Sequence, residues 1–244
     1  MDTTNRRART VSETPGVHSS EDQGTRSLAE DVLLMLFQPA SGTIAGENVL
    51  FHVLGGAVLT DLVLRGHVEV REERLRGPVV HAGSVAPTDD VLRSAWDYAD
   101  RKPRSAHAVL AAIGPGLRAP LLDRLVRYGD IDREDRKMLG FLPRSVLQLG
   151  GTGRHEELFE QVRSVLVDRA EPTAHIAAVT ALVAASGTLP HLDRRIPWSS
   201  AVIRRTRELE EGDWGAGAAG AAVLRTNAAV VINTLVTSTV LAAR

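Results

Sequence analysis

The loop Gly150-Gly151-Thr152-Gly153 contains residue types that could do chemistry. It precedes a predicted helix, and backbone amides at such a junction can hold a phosphate group. The segment lacks the lysine that a nucleotide-triphosphate loop requires, and glycine-rich turns commonly separate structural elements. A turn without chemistry is therefore the favoured interpretation.

The other polar residues form no pattern typical of an enzyme. The eight histidines show no H-E-x-x-H spacing, and His155-Glu156 alone is not a zinc motif. The sequence contains neither a G-x-S-x-G nucleophile elbow nor a G-x-x-x-x-G-K-[ST] loop. The acidic residues between positions 130 and 135 alternate with Arg133 and Arg136, which predicts a solvated, mutually neutralising face. We expect no catalytic residue, metal or cofactor, and any enzyme would be of an uncharacterised type.

The segment DREDRKMLGFLPRS places apolar side chains directly after a charged run, where a hairpin is predicted. Apolar side chains at an exposed tip, with basic residues on both sides, would suit shallow insertion between lipid headgroups. The residues concerned are Met138, Leu139, Phe141 and Leu142. The alternative is a returning strand whose apolar residues face the core, which is the commoner arrangement.

Composition limits the classes of partner and the compartment. The 244 residues include 29 basic and 30 acidic ones, and this balance creates no overall field that attracts nucleic acid. Only Lys102 and Lys137 among the basic residues are lysine, a bias typical of GC-rich bacterial genes. Cysteine is absent, which excludes disulfides and thiolate metal sites and is compatible with a cytoplasmic location.

The sequence divides into a polar N-terminal tail and one domain. Residues 1–26 have few apolar side chains and no secretory signal, so we expect a disordered tail. Ser27 and Glu30 form a capping box that begins the first helix of a domain over residues 27–244. Residues 226–243 carry no charge, but their Asn, Thr and Ser side chains favour a buried core helix over a membrane anchor.

Two helix-to-hairpin junctions must position any site in this domain. A predicted helix over about residues 47–65 ends at Gly66 and is followed by strand-like alternation in HVEVR. A second helix over residues 118–128 runs through LVRYGDIDR into a similar alternation. Between the two junctions, Thr88 is the predicted cap of a helix that begins DDVLRSAWDYA. The first junction alone would also suit a winged-helix DNA binder, although the near-neutral charge and the lack of a basic recognition helix argue against it.

The order of these patterns resembles the Golgi phosphoprotein 3 family, and in particular its bacterial-type members. The resemblance rests on six segments in order, namely LLMLF, GGAVLTDLVLRGHVEV, APTDDVL, RAPLLDRLVRYGDI, MLGFLP and VLRTNAAVVINTLV. It implies a mainly α fold, in which a single globular helical domain surrounds a buried central helix and is decorated by short β-hairpins.

The same resemblance implies a non-enzymatic function at membranes. Eukaryotic members bind phosphatidylinositol 4-phosphate, insert a hydrophobic hairpin into the bilayer, and tether glycosyltransferases through their cytoplasmic tails. Carried over by position, one family arginine of the lipid pocket falls on Gly55, and a pair of arginines falls on Pro115 and Arg118. Only Arg118 remains to contact a headgroup, because the family tryptophan is also missing. One arginine is a weak site for a phosphate monoester, since such a group normally needs several donors.

Two functions from different classes remain open at this point. The first is a peripheral adaptor on the cytoplasmic membrane face, which binds an anionic phospholipid or phosphoinositide surface and protein cargo tails. The second is a soluble interaction or regulatory protein that keeps the fold without binding lipid. The sequence leaves the lipid headgroup, the protein partners and self-association undetermined.

Overall fold

The computed structural model describes residues 26–138, 142–214 and 222–242. The architecture is mainly α: the described residues form ten α-helices and three small antiparallel sheets. The helices are α1 (Leu28–Leu36), α2 (Leu50–Leu64), α3 (Asp90–Asp100), α4 (Ala106–Ile113), α5 (Arg118–Arg127), α6 (Arg154–Val167), α7 (Ala174–Ala185), α8 (Leu189–Leu192), α9 (Ser200–Glu210) and α10 (Ala222–Ala242). The strands are β1 (Phe37–Gln38), β2 (Thr43–Ile44), β3 (Val68–Glu73), β4 (Gly77–Ala82), β5 (Arg104–Ser105), β6 (Ile131–Met138) and β7 (Leu142–Leu149).

Helix α1 begins at the predicted capping box. Ser27 Oγ accepts a hydrogen bond from the Glu30 amide at 3.2 Å, and the Glu30 carboxylate accepts one from the Ser27 amide at 2.8 Å. The two bonds satisfy amides that would otherwise lack partners at the start of a helix. Every residue of α1 is buried, so its two acidic side chains, Glu30 and Asp31, need partners from elsewhere in the fold.

Helix α2 is apolar and buried at 13 of its 15 positions. It packs against α1, α3, α4, α7 and α10, so much of the core lies along its sides. The helix gives way to the first hairpin at Gly66, whose φ of 74° lies in the left-handed region that only glycine adopts at little cost. The predicted change from helix to strand at this glycine is confirmed.

Both predicted hairpins are present, and the structure adds two elements that the sequence did not indicate. In the first hairpin β3 pairs with β4, and in the second β6 pairs with β7. The short strand β5 extends the first hairpin to three strands, while β1 and β2 form a small hairpin between α1 and α2. Strands of two residues carry too little alternation to be recognised from a single sequence.

The cap predicted for α3 was wrong by one residue. The N-cap is Asp89 and not Thr88, because the Asp89 carboxylate accepts hydrogen bonds from the amides of Val91 and Leu92, both at 2.9 Å. Both residue types are favourable caps, so the sequence could not decide between adjacent candidates. The choice matters because the same carboxylate also holds a side chain of α5.

Helix α10 packs against α2, α4 and α7, and its Ala228, Val231, Ile232 and Leu235 are fully buried. These contacts agree with the interpretation of its uncharged sequence as a core helix. Among the helices of the described residues, none combines the length and the apolar character needed to cross a membrane.

Candidate anionic-headgroup site

Arg118 is the first residue of α5 and follows a 3-10 turn, Gly114–Gly116. Its side chain is 45% exposed, and its Nη2 atom donates to Glu47 Oε1 at 3.0 Å. Glu47 lies just before α2 and is separated from Arg118 by 71 positions, so no local pattern in the sequence predicted this pair. The structure therefore places the candidate arginine at the surface, with one carboxylate already beside it.

An ionic cluster around the buried Arg124 fixes the orientation of α5. Arg124, on the inner side of the helix, donates to Asp89 Oδ2 at 2.7 Å and to Glu30 Oε1 at 3.5 Å, and it also contacts Asp90. Burial favours the neutral form of Asp89, but the hydrogen bonds from Arg124, Leu92 and Val91 outweigh it and hold the pKa of this carboxyl below its ordinary value. Helices α1, α3 and α5 are thus joined through one guanidinium group.

The 3-10 turn is packed directly onto α2, backbone against backbone. A Cβ atom added at Gly114 would lie 2.1 Å from the carbonyl oxygen of Phe51. A Cβ added at Gly55 would lie 3.1 Å from the carbonyl oxygen of Leu110 and 3.5 Å from the Cα of Gly114. Glycine at both positions allows an approach that a larger residue would prevent, so no space for a long side chain remains between α2 and this turn.

The second hairpin begins where α5 ends. Gly129, with a φ of 75°, reverses the chain, and Ile131 at the start of β6 is fully buried. Arg133 then donates to Asp123 Oδ1 of α5 at 3.0 Å, so the first part of β6 folds back beside the helix. The pairing runs from Ile131 with Leu149 to Met138 with Leu142.

A sequence model of the family described as Golgi phosphoprotein 3 (GPP34) matches residues 28–226 of the chain. The chain belongs to this family. None of the curated proteins compared with the chain matches it. The match spans α1 to the beginning of α10, and it therefore includes Arg118, Glu47 and both hairpins.

For this Golgi phosphoprotein 3 family member, the packing described above bears on the three positions where the resemblance would place lipid-pocket arginines. One of these expected positions is Gly55, which lies in the contact between α2 and α4. Pro115 is exposed within the 3-10 turn and offers no donor, since proline has neither a charged side chain nor an amide hydrogen. Arg118 is thus the only one of the three positions that presents a guanidinium group.

Membrane insertion by the four residues of the predicted apolar tip stays a prediction. Leu139 and Phe141 lie outside the described residues, and for Met138 and Leu142 only the place in the strand pairing is described.

The glycine-rich loop after β7 is built as a structural turn. A Cβ at Gly150 would lie 1.8 Å from the carbonyl oxygen of Gly129, so this glycine permits a close crossing of two chain segments. Thr152 donates to Asp130 Oδ1 at 2.8 Å, and Arg26 lies 3.1 Å from the other carboxylate oxygen. A carboxylate therefore stands beside the loop, which disfavours an anionic ligand there. Asp130 itself is buried, so the prediction that it belongs to a solvated acidic face was wrong.

The described part of the chain contains no group of three or more histidine, cysteine, aspartate or glutamate residues placed to hold a metal ion. The histidine beside Glu156 is instead a partly buried group, and burial lowers the pKa of His155 below its ordinary value. Sequence analysis also missed Asp31, which is buried in α1 and paired with Arg154 and His175. An acidic residue inside an apolar helix is the signal that could have indicated a buried ionic contact.

Proposed function

We propose that this protein is a non-enzymatic peripheral membrane adaptor that binds anionic lipid headgroups on the cytoplasmic face of a membrane. Arg118 contacts the headgroup, and Met138, Leu139, Phe141 and Leu142 insert between the lipids. Family membership supports phosphatidylinositol 4-phosphate as the headgroup and protein tails as cargo. It also supports α2 as the central helix of the domain. The observation that carries the proposal is the exposed Arg118 on the same helix along which β6 folds back.

The position of β6 beside α5 supports a surface that combines the two parts. Asp123, the partner of Arg133, lies five residues after Arg118, or about 7.5 Å along the helix axis. Met138 lies five residues after Arg133, or roughly 17 Å along an extended strand. Because β6 lies beside α5 at the Arg133–Asp123 pair, this contact supports a surface that includes both Arg118 and the strand that leads to Met138.

A headgroup that binds Arg118 must compete with Glu47 for the guanidinium group. Both side chains of the pair are about half exposed, so the pair itself contributes little stability and opens readily. A phosphate monoester carries more charge than one carboxylate and accepts charge-assisted hydrogen bonds at three oxygens. We therefore expect the headgroup to displace Glu47 from Arg118 at low salt and to lose this advantage as ionic strength rises.

Sedimentation with liposomes tests the proposal on the full chain. Vesicles of neutral lipid, of neutral lipid with phosphatidylserine, and of neutral lipid with phosphatidylinositol 4-phosphate would be compared at low and physiological salt. We expect binding to the anionic vesicles, a severalfold loss in Arg118→Ala, and a gain in Glu47→Gln, in which the arginine loses its charged competitor. Replacing the four apolar tip residues by serine should lower binding to all anionic vesicles alike.

Arg93→Ala is the matched control, because the Arg93 side chain is similarly exposed, at 52% against 45%, and pairs with one carboxylate, Asp97, at 3.0 Å. It removes the same charge from a different helix. Equal losses of vesicle binding in Arg118→Ala and Arg93→Ala would mean that only net charge matters and that Arg118 is not a specific headgroup site. No binding of the unmodified protein to any anionic vesicle would overturn the membrane function.

A second candidate, a soluble interaction protein that keeps the fold without lipid binding, is favoured by the close packing at Gly55 and Gly114. This packing occupies the region where a pocket with two further arginines would need space. Under this function, Arg118→Ala leaves membrane association unchanged while the folded structure is kept. A clear loss of vesicle binding in that variant would count against it.

A further inference from the structure

A cavity of about 580 Å³ lies on the other side of the segment that carries Glu47. Its lining comes from five parts of the fold: the β1–β2 hairpin with the residues that follow it, the end of α7, α8, the end of α9, and α10. The polar members of the lining include Gln38, Asn48, Ser186, His191, Glu210 and Thr239. Elements so far apart in the chain give no joint signal in the sequence, which is why the cavity could not be predicted.

Glu210 is the only carboxylate that lines this cavity among the described residues, and it has no hydrogen-bond or ion-pair partner there. It is the last residue of α9 and is partly buried. Burial raises the pKa of Glu210 above its ordinary value, the neighbouring Glu211 adds to the rise, and Arg207 opposes it. An unpaired carboxylate with reduced access to water is costly, and a cationic partner would remove that cost.

The backbone around the cavity adds to its negative character. The last turn of α7 lines it through Ala184 and Ala185, and the C-terminal end of a helix carries a partial negative charge that favours cations. No lysine or arginine belongs to the described lining. A cation entering the cavity would therefore meet one full negative charge and one helix end of the same sign.

The hydroxyl groups of the wall are already used within the protein. Thr239 donates to the Ala185 carbonyl oxygen at 3.1 Å, and Ser186 donates to the Val183 carbonyl oxygen at 2.6 Å. Val49 and Val236 supply apolar surface between them. The wall thus suits a ligand with a short apolar part and one strongly donating cationic group.

We propose that this cavity binds a small organic cation, an alkylguanidinium or alkylammonium, whose charged group donates to Glu210 beside the C-terminal end of α7. The apolar part of the ligand lies against Val49 and Val236. A guanidinium fits especially well, because its planar set of donors can pair with both carboxylate oxygens at once. This site stands apart from the proposed membrane function, since it requires neither Arg118 nor the β6–β7 hairpin.

Calorimetric titration of the full chain with butylguanidinium, near neutral pH and at low salt, tests the proposal. Butylamine would measure the ammonium arm, and butylurea, a neutral molecule of the same shape as butylguanidinium, would measure the contribution of charge. We expect saturable binding of both cations, at least about tenfold weaker binding of butylurea, and a loss of about tenfold for butylguanidinium in Glu210→Gln. Binding should also weaken as the pH falls, because Glu210 becomes protonated.

Glu211→Gln is the matched control, since it removes the same charge one residue further along, from an exposed carboxylate outside the cavity lining. This variant should bind butylguanidinium as the unmodified protein does. Equal binding of butylurea and butylguanidinium would overturn the proposal, and so would equal losses in the two variants or no saturable binding. The result of this titration is independent of the vesicle assay, because Glu210→Gln should bind anionic vesicles like the unmodified protein.

Discussion

The two sides of residues 46–49 differ in how space and charge are distributed. On one side, Glu47 is paired with Arg118, and nearby the 3-10 turn lies against α2 with no room for a Cβ at Gly114. On the other side, Gly46, Asn48 and Val49 face a cavity in which Glu210 has no partner among the described residues. One short segment therefore separates a tightly packed, charge-balanced region from an open region with an unpaired charge.

The difference shows where the molecule is closed to a ligand and where it keeps an unfavourable feature. Close backbone packing and balanced charges contribute to stability and leave little for a ligand to gain. An unpaired, partly buried carboxylate beside a cavity lowers the stability of the free protein, and such features persist most often where a ligand compensates for them. The predictions below test each side, from the largest expected effect to the smallest.

The largest effect is expected when Gly55 is replaced by arginine, the residue type that the resemblance implies for this position. Gly55→Arg should destabilise the protein by more than about 4 kcal/mol, because the side chain must either displace α4 or bury an unpaired charge. Urea unfolding measures this change. Gly116→Arg is the control, since a Cβ at Gly116 meets nothing within 4 Å. A normally stable Gly55→Arg protein that binds phosphoinositide vesicles would contradict the closed packing.

Gly114→Ala should cost about 3 kcal/mol, because its Cβ would overlap the Phe51 carbonyl group and the backbone of α2 cannot move away freely. Gly116→Ala, two residues later in the same turn, should leave the free energy of unfolding nearly unchanged. Thermal unfolding of the two variants side by side measures the contrast. Similar stabilities would mean that the turn does not press on α2.

On the open side, Glu210→Gln should stabilise the protein near neutral pH by less than about 1 kcal/mol, since solvent partly screens this carboxylate. The folded state holds the Glu210 proton to higher pH than the unfolded state does. The contribution of Glu210 to stability therefore falls as pH rises from the unfolded pKa to the raised folded pKa. Unfolding curves between pH 4 and 8 should show this fall in the free energy of unfolding for the unmodified protein. The same contribution should be missing in Glu210→Gln. A less stable variant at neutral pH would indicate a partner for Glu210.

The smallest effect concerns the exposed pair. Arg118→Ala and Glu47→Gln should each change the free energy of unfolding by less than about 0.5 kcal/mol, because both side chains are about half exposed to water. Denaturant midpoints measured at low and high salt would reveal any larger contribution. A loss above about 1 kcal/mol would mean that Arg118 supports the fold, and its effect on vesicle binding would then need a separate explanation.

Local features of the fold were predictable because each depends on neighbours in sequence. The capping box at Ser27 and the left-handed Gly66 follow from residues a few positions apart. The Asp89 cap was missed by one residue, because two good caps stand side by side. The resemblance of ordered segments identified the family, since it uses the whole chain rather than one motif.

The long-range features could not be predicted, because they depend on which elements meet. The sequence indicated Arg118 but not its pairing with Glu47, and it gave no sign of a cavity beside Glu210. The resemblance implied an arginine at the position of Gly55, but nothing in the sequence indicated that α4 and the 3-10 turn occupy the space. Pairings across many tens of residues become visible only when the helices are packed.

The buried carboxylate of Asp31 has a consequence for how the chain reaches its folded state. Its two partners, Arg154 on α6 and His175 on α7, are supplied 123 and 144 positions later in the chain. Until those helices arrive, α1 would have to bury a charge without compensation, which strongly opposes docking onto α2. The N-terminal half should therefore not assemble its core during synthesis, and a fragment that ends at the second hairpin should stay unfolded. Such late-made contacts favour slow folding in a single cooperative step.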